Sequence, residues 1–253
     1  MGERSHEHTI EKRRILRIIT WNCNMAFRKK ADNILRFHPD VLIVPESESN
    51  NKIDFSKHST QPTNHLWIGN NPNKGILISS YNNDIILSLS PLYNEEFRYV
   101  VPIEVSYKNF KFFLLAIWTQ DTKRGYSGYV AQAYRALMFY QSQLNDKSMI
   151  IGDFNSNAIW DLMCKRGVNH TDTVNFLKSY EIESLYHIQQ NVEQGEEKES
   201  TFYLSRQRDR SYHIDYIFSG QYWSKKLEKI SIGKYDDWTE YSDHVPIIAD
   251  FKS

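Results

Sequence analysis

Cysteine is almost missing: only Cys23 and Cys164 occur in 253 residues. They lie far apart and lack metal-ligand spacing, so neither a disulfide framework nor a thiolate centre organises the fold, and a reducing compartment fits. Net charge is missing as well, since 31 Lys and Arg offset 31 Asp and Glu. Bulk attraction to a polyanion is therefore unsupported, and any nucleic-acid site must be a local patch. There is no run of about 20 apolar residues, and the polar stretch 1–14 leads into no signal-peptide core. A cytoplasmic protein is expected, with no membrane contact, no evident protein partner and a monomeric state. Internal repeats, long linkers and composition breaks are absent too. That leaves one domain over 14–253 after a loose tail over 1–13.

What is present is a large apolar fraction, 40%, enough for a sizeable core. Short apolar runs read as strands over 14–21, 41–44, 66–68, 75–79, 85–89, 99–105 and 112–118, separated by Asn, Gly and Pro turns. Further strands are expected up to 151 and over 201–204, 212–219, 227–232 and 245–251. Helical character marks 26–37, 129–144 and 158–180, most clearly in the middle segment, where Val130, Ala133, Tyr134, Leu137 and Leu144 recur at helical spacing. Residues 190–200 are acidic and expected to form a mobile loop. Many strands with few covering helices point to an α/β fold of two packed sheets flanked by helices.

The chemistry gathers at strand ends. Ile150 and Ile151 close a buried strand, and Gly152 frees the backbone to turn. Asp153 and Asn155 follow, two apart on an extended chain and so on one side of it. A carboxylate beside a carboxamide suits holding a water or hydroxyl against phosphorus, although Gly-Asp and Asn-Ser also favour plain turns. Asn22 and Asn24 share a face after the first strand, with Cys23 on the opposite, core-facing side. Glu46 ends a wholly apolar run, and oxygen ligands of this type suit a hard cation such as Mg²⁺. His213 and Asp215 share a face, and Asp243 and His244 enter the last strand. Singly, these residues read as an Asx-turn, a surface acid, a turn cap or a satisfied histidine. Together they are five polar sites at five strand ends, all of phosphate-and-metal type.

The order Trp21-Asn22-x-Asn24, Pro45-Glu46, Gly152-Asp153-Phe154-Asn155, His213-Ile214-Asp215-Tyr216 and Ser242-Asp243-His244-x-Pro246 resembles the endonuclease/exonuclease/phosphatase superfamily. That superfamily includes exonuclease III-type apurinic endonucleases, DNase I-like nucleases, inositol-polyphosphate 5-phosphatases and neutral sphingomyelinases. The resemblance runs over nearly the whole chain and implies a four-layer α/β sandwich of mostly antiparallel sheets, with the site at one edge of both. It further implies Mg²⁺, with Mn²⁺ as a substitute. Glu46 would be the main metal-ligand acid, Asn22 and Asn24 the strand-end residues beside the metal, and Asp243 an acid neighbouring it. Asp153 would position or deprotonate the attacking water, with Asn155 as its partner. His244, oriented by Asp215, would contact the scissile phosphate; in the superfamily's sheet order, Asp215 leaves a strand beside the one that begins at His244. Whether Asp153 or His244 takes the proton stays open.

Two departures stand out. Pro45 precedes the ligand acid where many relatives have Gln or Arg. Trp118 or Thr119 stands where many relatives carry a His or Tyr used at the phosphate. Trp118, Arg124, His213, Arg206 and Arg208 are the candidates for substrate contact, because basic and aromatic side chains together suit a phosphate backbone and unstacked bases. Arg28, Lys29 and Lys30 form another basic run. Three readings follow. The first is a Mg²⁺-dependent nuclease, with DNA as substrate. The second is a phosphatase or phosphodiesterase for a small or lipid phosphate such as an inositol phosphate. The third is a binding protein that keeps the fold without turnover.

Overall fold

Residues with β-branched and aromatic side chains fill fourteen strands among the described residues of a computed structural model, which covers 15–120, 126–164 and 167–252. The tail expected over 1–13 and Arg124 lie outside the described residues. The strands are β1 (Ile15–Thr20), β2 (Val41–Ser47), β3 (Asn64–Asn71), β4 (Lys74–Ser80), β5 (Ile85–Leu89), β6 (Val100–Tyr107), β7 (Phe110–Trp118) and β8 (Met149–Asp153). They continue with β9 (Ile182–Ser184), β10 (Phe202–Tyr203), β11 (Ser211–Tyr212), β12 (Asp215–Gly220), β13 (Leu227–Ile232) and β14 (Ile247–Lys252). The α-helices are α1 (Ala31–Leu35), α2 (Tyr126–Phe139), α3 (His170–Lys178), α4 (Leu185–Gln190), α5 (Gln221–Ser224) and α6 (Tyr235–Trp238).

Two six-stranded sheets form, ordered β13-β14-β1-β2-β4-β3 and β5-β6-β7-β8-β12-β9, and β10 pairs with β11 as a small ribbon. Each large sheet is antiparallel except for one parallel pair at its centre, β1–β2 in the first and β7–β8 in the second. A parallel pair puts two carboxyl ends side by side. The pairing continues past the strand ends through Cys23 N–H to Pro45 O at 3.1 Å and Thr119 N–H to Asp153 O at 3.1 Å. The residues that leave these ends are Asn22, Glu46, Thr119 and Asn155.

The inner faces of the two sheets bury Ile18, Ile43 and Ile78 against Ile103, Leu114 and Ile151. On the outer face of the second sheet, Leu137 and Leu177 of α2 and α3 pack on Leu115, Ile150 and Phe218. On the outer face of the first, Ile34 and Trp238 of α1 and α6 cover Ile19 and Leu42. This is the four-layer α/β sandwich, and each fully buried aliphatic side chain contributes about 1.5–3 kcal/mol. Cys23 is fully buried in the first sheet's outer layer, where removal of its charged form from water pushes the thiol pKa up.

Three local expectations differ from the structure. The helix over 26–37 is broken into a 3₁₀ turn, Phe27–Lys29, and α1. A left-handed run at Asn24, Met25 and Ala26, with φ of 49°, 62° and 50°, delays the start to Phe27, and Lys30, at φ −140°, breaks the helix before α1. The helical region over 158–180 divides into a 3₁₀ segment, Ala158–Met163, and α3, which starts at a capping box of Asn169 and Asp172. The acidic stretch over 190–200 is docked. Glu197 Oε1 accepts from Asn157 Nδ2 at 3.0 Å, Gly195 N at 3.0 Å and His187 Nε2 at 3.0 Å. Burial opposes its charge, but these bonds outweigh it and hold the carboxyl down to about 2.

Gly152 fixes the position of the next residue. Its φ is 139°, and a Cβ there would lie 2.0 Å from Ile117 O on the neighbouring strand. Gly152→Ala should therefore destabilise by about 3 kcal/mol or more, lowering Tm by roughly 6–12 °C in a chain of this size. A thermal melt followed by circular dichroism checks this; an unchanged Tm would contradict the close approach.

Candidate active site

Two acids, an imidazole and an amide meet where the sheets come together. Asp215 opens β12 and is the antiparallel partner of Asp153 at the end of β8. His244 precedes β14, in the other sheet. Its Nδ1 lies 2.9 Å from Asp215 Oδ2, so the Asp215–His244 pair bridges two sheets rather than joining adjacent strands as expected. His244 Nε2 is 4.0 Å from Asp153 Oδ2. The same Asp153 oxygen accepts from Asn22 Nδ2 at 2.9 Å, a second bond across the sheets, while Asp153 Oδ1 accepts from Asn155 N–H at 2.9 Å. The Asn155 side chain turns to Thr119 O at 3.3 Å. Asn24 N–H donates to Asn22 Oδ1 at 3.0 Å, and Asn24 Nδ2 donates to Asp243 Oδ1 at 3.0 Å.

All four central residues are buried: Asn22 and Asp153 are 1% exposed, Asp215 2% and His244 5%. Burial works against charge on the imidazole, but Asp215 and then Asp153 outweigh it and raise the His244 pKa. Burial first, and Asp215 second, raise the Asp153 pKa, against the opposing pull of His244 and the Asn22 amide. The imidazolium is therefore the stable form of His244. Asp153 is a stronger base than an exposed carboxylate.

Several residues outside the expected set hold this arrangement. Ser242 Oγ donates to Asn22 O at 2.8 Å and accepts from His244 N–H at 3.0 Å. Trp21 Nε1 donates to His244 O at 3.0 Å, and the Phe202 ring stands 4.6 Å from the imidazole. Thr201 Oγ1 accepts from the N–H groups of Ile214 and Asp215, each at 3.0 Å. Its carbonyl accepts from Val245 N–H at 2.8 Å, so one threonine ties the entries of β12 and β14 together. Ser242 and Trp21 stand inside the motifs, but nothing in the local sequence marks Thr201. The chain is also strained here: φ is positive at Asn24, Glu46 and Asn155 as well as at Met25 and Ala26. Such conformations gather at functional sites, where the surrounding bonds enforce them.

Glu46 is displaced by an irregularity in the β2–β4 pairing between Pro45 and Ser47. Its Oε2 lies 3.1 Å from Lys74 Nζ, and that ammonium sits 5.1 Å from the centre of the Trp118 ring. Two donor sets can be tested against a metal. Asp153, Asp215 and His244 offer atoms within 4.8 Å of one another. The atoms of this cluster are already engaged with one another and with Asn22: His244 Nδ1 lies 2.9 Å from Asp215 Oδ2, and Asp153 Oδ2 accepts from Asn22 Nδ2 at 2.9 Å. Glu46, Asn24 and Asp243 offer hard oxygens of the kind Mg²⁺ takes, and Glu46 already attracts a cation, the Lys74 ammonium. The donor chemistry of the second set suits such an ion.

Other expected contacts lie elsewhere. His213 is 4% exposed, its Nδ1 is 2.8 Å from Glu199 O, and its ring packs on Tyr186 and Tyr216 behind the site; burial lowers its pKa. The structure does not turn it toward a substrate. Trp118 is 2% exposed, covered by Tyr99 and Lys74. Arg208 pairs with Asp236 and lies over Tyr235, and Arg206 Nη1 donates to Glu240 O at 3.1 Å. In the basic run, Arg28 pairs with the buried Glu48 at 2.8 Å, and Lys30 Nζ donates to the carbonyls of Cys23 and Tyr241. These two are structural cations.

The fold and this set of strand-end residues define a phosphate-ester hydrolase. Residues 19–244 match the model of the Endonuclease/Exonuclease/phosphatase family, and the chain belongs to that family. The reading as a binding protein without turnover is thereby set aside. A search of curated proteins gives no match. Among solved structures, the chain is similar to the AP endonuclease LMAP from Leishmania major, with a TM-score of 0.73 at 12% identity over 100% of this chain and 92% of that one. It is also similar to a Neisseria 3' phosphatase, NExo, bound to product DNA hairpin, with a TM-score of 0.66 at 18% identity over 94% and 100%. An AP endonuclease from Archaeoglobus fulgidus gives a TM-score of 0.63 at 17% identity over 94% and 100%. Among the described residues no helix is long and apolar enough to cross a membrane.

The raised pKa of His244 is directly measurable. Imidazole ¹⁵N NMR should find this ring protonated above the ordinary imidazole range, and Asp215→Asn should shift its titration toward lower pH by at least about one unit. Because the folded pKa lies above the unfolded one, this charge stabilises the fold at low pH, and the contribution fades as pH rises through the folded value. A His244 titration at the ordinary value would refute the pairing.

Proposed function

We propose that the chain is a divalent-metal-dependent nuclease that hydrolyses phosphodiester bonds in DNA. The observation that carries the chemistry is the buried line Asn22–Asp153–His244–Asp215, which sets a basic carboxylate 4.0 Å from an imidazolium. Asp153 would orient the attacking water and take its proton, helped by a pKa closer to neutrality. Asn22 and the Asn155 N–H fix the carboxylate so that its other lone pairs face the water. His244, with Nδ1–H donated to Asp215, directs Nε2–H at the phosphate and offsets charge as the phosphorus becomes five-coordinate. Glu46, Asn24 and Asp243 would hold the metal. When bound, Mg²⁺ or Mn²⁺ supplies positive charge to the phosphoryl and leaving oxygens. Arg206 would serve the polymer rather than the chemistry. DNA as substrate is supported by the similar structures, which are AP endonucleases and a 3' phosphatase bound to product DNA hairpin.

The deciding experiment presents purified protein with Mg²⁺ to abasic, nicked and single-stranded DNA, RNA and inositol phosphates. Cleavage of DNA that stops in EDTA is expected, and Glu46→Gln should nearly abolish it. Turnover confined to inositol phosphates would move the reading to a small-molecule phosphatase, and full activity in EDTA would end the metal assignment.

The dyad gives a second test. His244→Ala should lower kcat by about 10²–10⁴. Asp215→Asn should lower it too, and the double variant should be little worse than His244→Ala, because residues acting as a unit are not additive. In the pH–rate profile the acid limb, from Asp153, should stand above the ordinary carboxylate range. The basic limb, from His244, should stand above the ordinary imidazole range. Losses that multiply independently in the double variant would show that the two residues do not act together.

A further inference from the structure

Lys74 has no role in the arrangement so far, yet it touches two of its parts. It opens β4 directly after the turn that joins β3 to β4. Its ammonium lies 3.1 Å from Glu46 Oε2 and 5.1 Å from the centre of the Trp118 ring. Trp118 is in turn the parallel-strand partner of Asp153. The ammonium therefore stands beside the end of β7, at the rim of the buried line of acids. Its side chain is 38% exposed and that of Glu46 18%, so both ends of the ion pair open to solvent. Pairs of this kind are worth little, about 0–1 kcal/mol, and exchange readily.

Three physical points follow. A divalent ion held by Glu46 and the lysine ammonium are like charges competing for one carboxylate, so they cannot both keep it at full strength. Once displaced, the ammonium remains on a four-carbon stem anchored over an indole face, where a cation is attracted. Trp118 itself is buried and donates only through its indole N–H, so it brings no charge to the phosphate. The cation that the structure places over its face is Lys74.

We propose that Lys74 is a substrate-binding residue with two partners in turn: Glu46 in the metal-free protein, and a phosphate of the nucleic-acid backbone once metal occupies Glu46. The carboxylate is thereby kept paired before loading, and the positive charge is handed to the substrate when it is needed. This rests on the reading of Glu46 as a metal ligand.

Calorimetric titration of Mn²⁺ into wild type, Glu46→Gln and Lys74→Met separates the two ideas. Glu46→Gln should bind the ion far more weakly; if it binds unchanged, the ligand assignment fails, whatever Lys74 does. Lys74→Met should bind the ion about tenfold more tightly, since a unit charge roughly 6 Å from a divalent ion in water is worth about that factor. Equal or weaker binding by Lys74→Met, with Glu46→Gln impaired, overturns the exchange alone. The second readout is substrate. With saturating metal, Lys74→Met should raise KM for a DNA oligonucleotide about tenfold and reduce the slope of log affinity against log salt by about one phosphate contact. Lys74→Arg should restore most of both. An unaltered KM and salt slope in Lys74→Met would show that the lysine never reaches the phosphate, and would overturn the proposal.

Discussion

Asp153 is held by an amide from the opposite sheet. That single bond, Asn22 Nδ2 to Asp153 Oδ2 at 2.9 Å, is the constraint on which the remaining site geometry depends. A buried carboxylate without donors would cost several kcal/mol or take up a proton. Here the donors come from Asn22 in one sheet and from Asn155 N–H in the other. The His244 imidazolium stands 4.0 Å from the same oxygen that the Asn22 amide bonds. The acid is thus satisfied enough to ionise, and buried enough for its pKa to stay raised. Neither sheet alone supplies both conditions. The Asp215–His244 bond crosses the same boundary, so closing the sandwich and assembling the chemistry are one event.

The parallel pair at the centre of each sheet explains why the site lies where it does. An antiparallel pair sends neighbouring strand ends in opposite directions, but β1 and β2, like β7 and β8, deliver theirs to one edge. Facing sheets with this shared feature bring four carboxyl ends together. The irregularities follow from that crowding. Pro45, which has no N–H to give, sits where the β2–β4 pairing slips, and Glu46 swings out at φ 62°. Gly152 accepts a φ of 139° because any Cβ would strike Ile117 O. Asn24 and Asn155, both at positive φ, belong to a residue type that tolerates the left-handed region well.

Much of this was legible in the sequence. The strands appear because β-branched runs between turn residues have few other uses, and the layer count follows from many strands and few helices. The residues at strand ends were legible because polar side chains directly after buried runs have a limited set of explanations. What was not legible depends on contacts remote in the chain. Thr201 looks like any strand-opening threonine, yet its hydroxyl takes two N–H groups beside Asp215. His213 shares a strand face with chemistry-bearing Asp215 in any linear reading, but β12 begins only at Asp215. His213 lies before that regular alternation and turns back toward Glu199 and Tyr186. The acidic run over 190–200 looks solvated because composition does not reveal that Asn157, His187 and Gly195 all donate to Glu197.

Charge placement separates structure from recognition here better than composition does. Arg28 and Lys30 look alike in sequence as surface cations, but each is held by the chain itself: Arg28 by the buried Glu48 and Lys30 by the Cys23 and Tyr241 carbonyls. Lys30 and Glu48 together pin the left-handed turn that carries Asn24, so two opposite charges that resemble a ligand patch instead hold a strained loop against Asp243. Lys74 differs because its partner is Glu46, an acid at the open end of a central strand and the proposed metal ligand. With a net charge of zero, the chain gains no bulk attraction for a polyanion, and a nucleic acid would have to be gripped by local cations. A cation stored on Glu46, the carboxylate proposed to hold the metal, is one physical solution to that constraint.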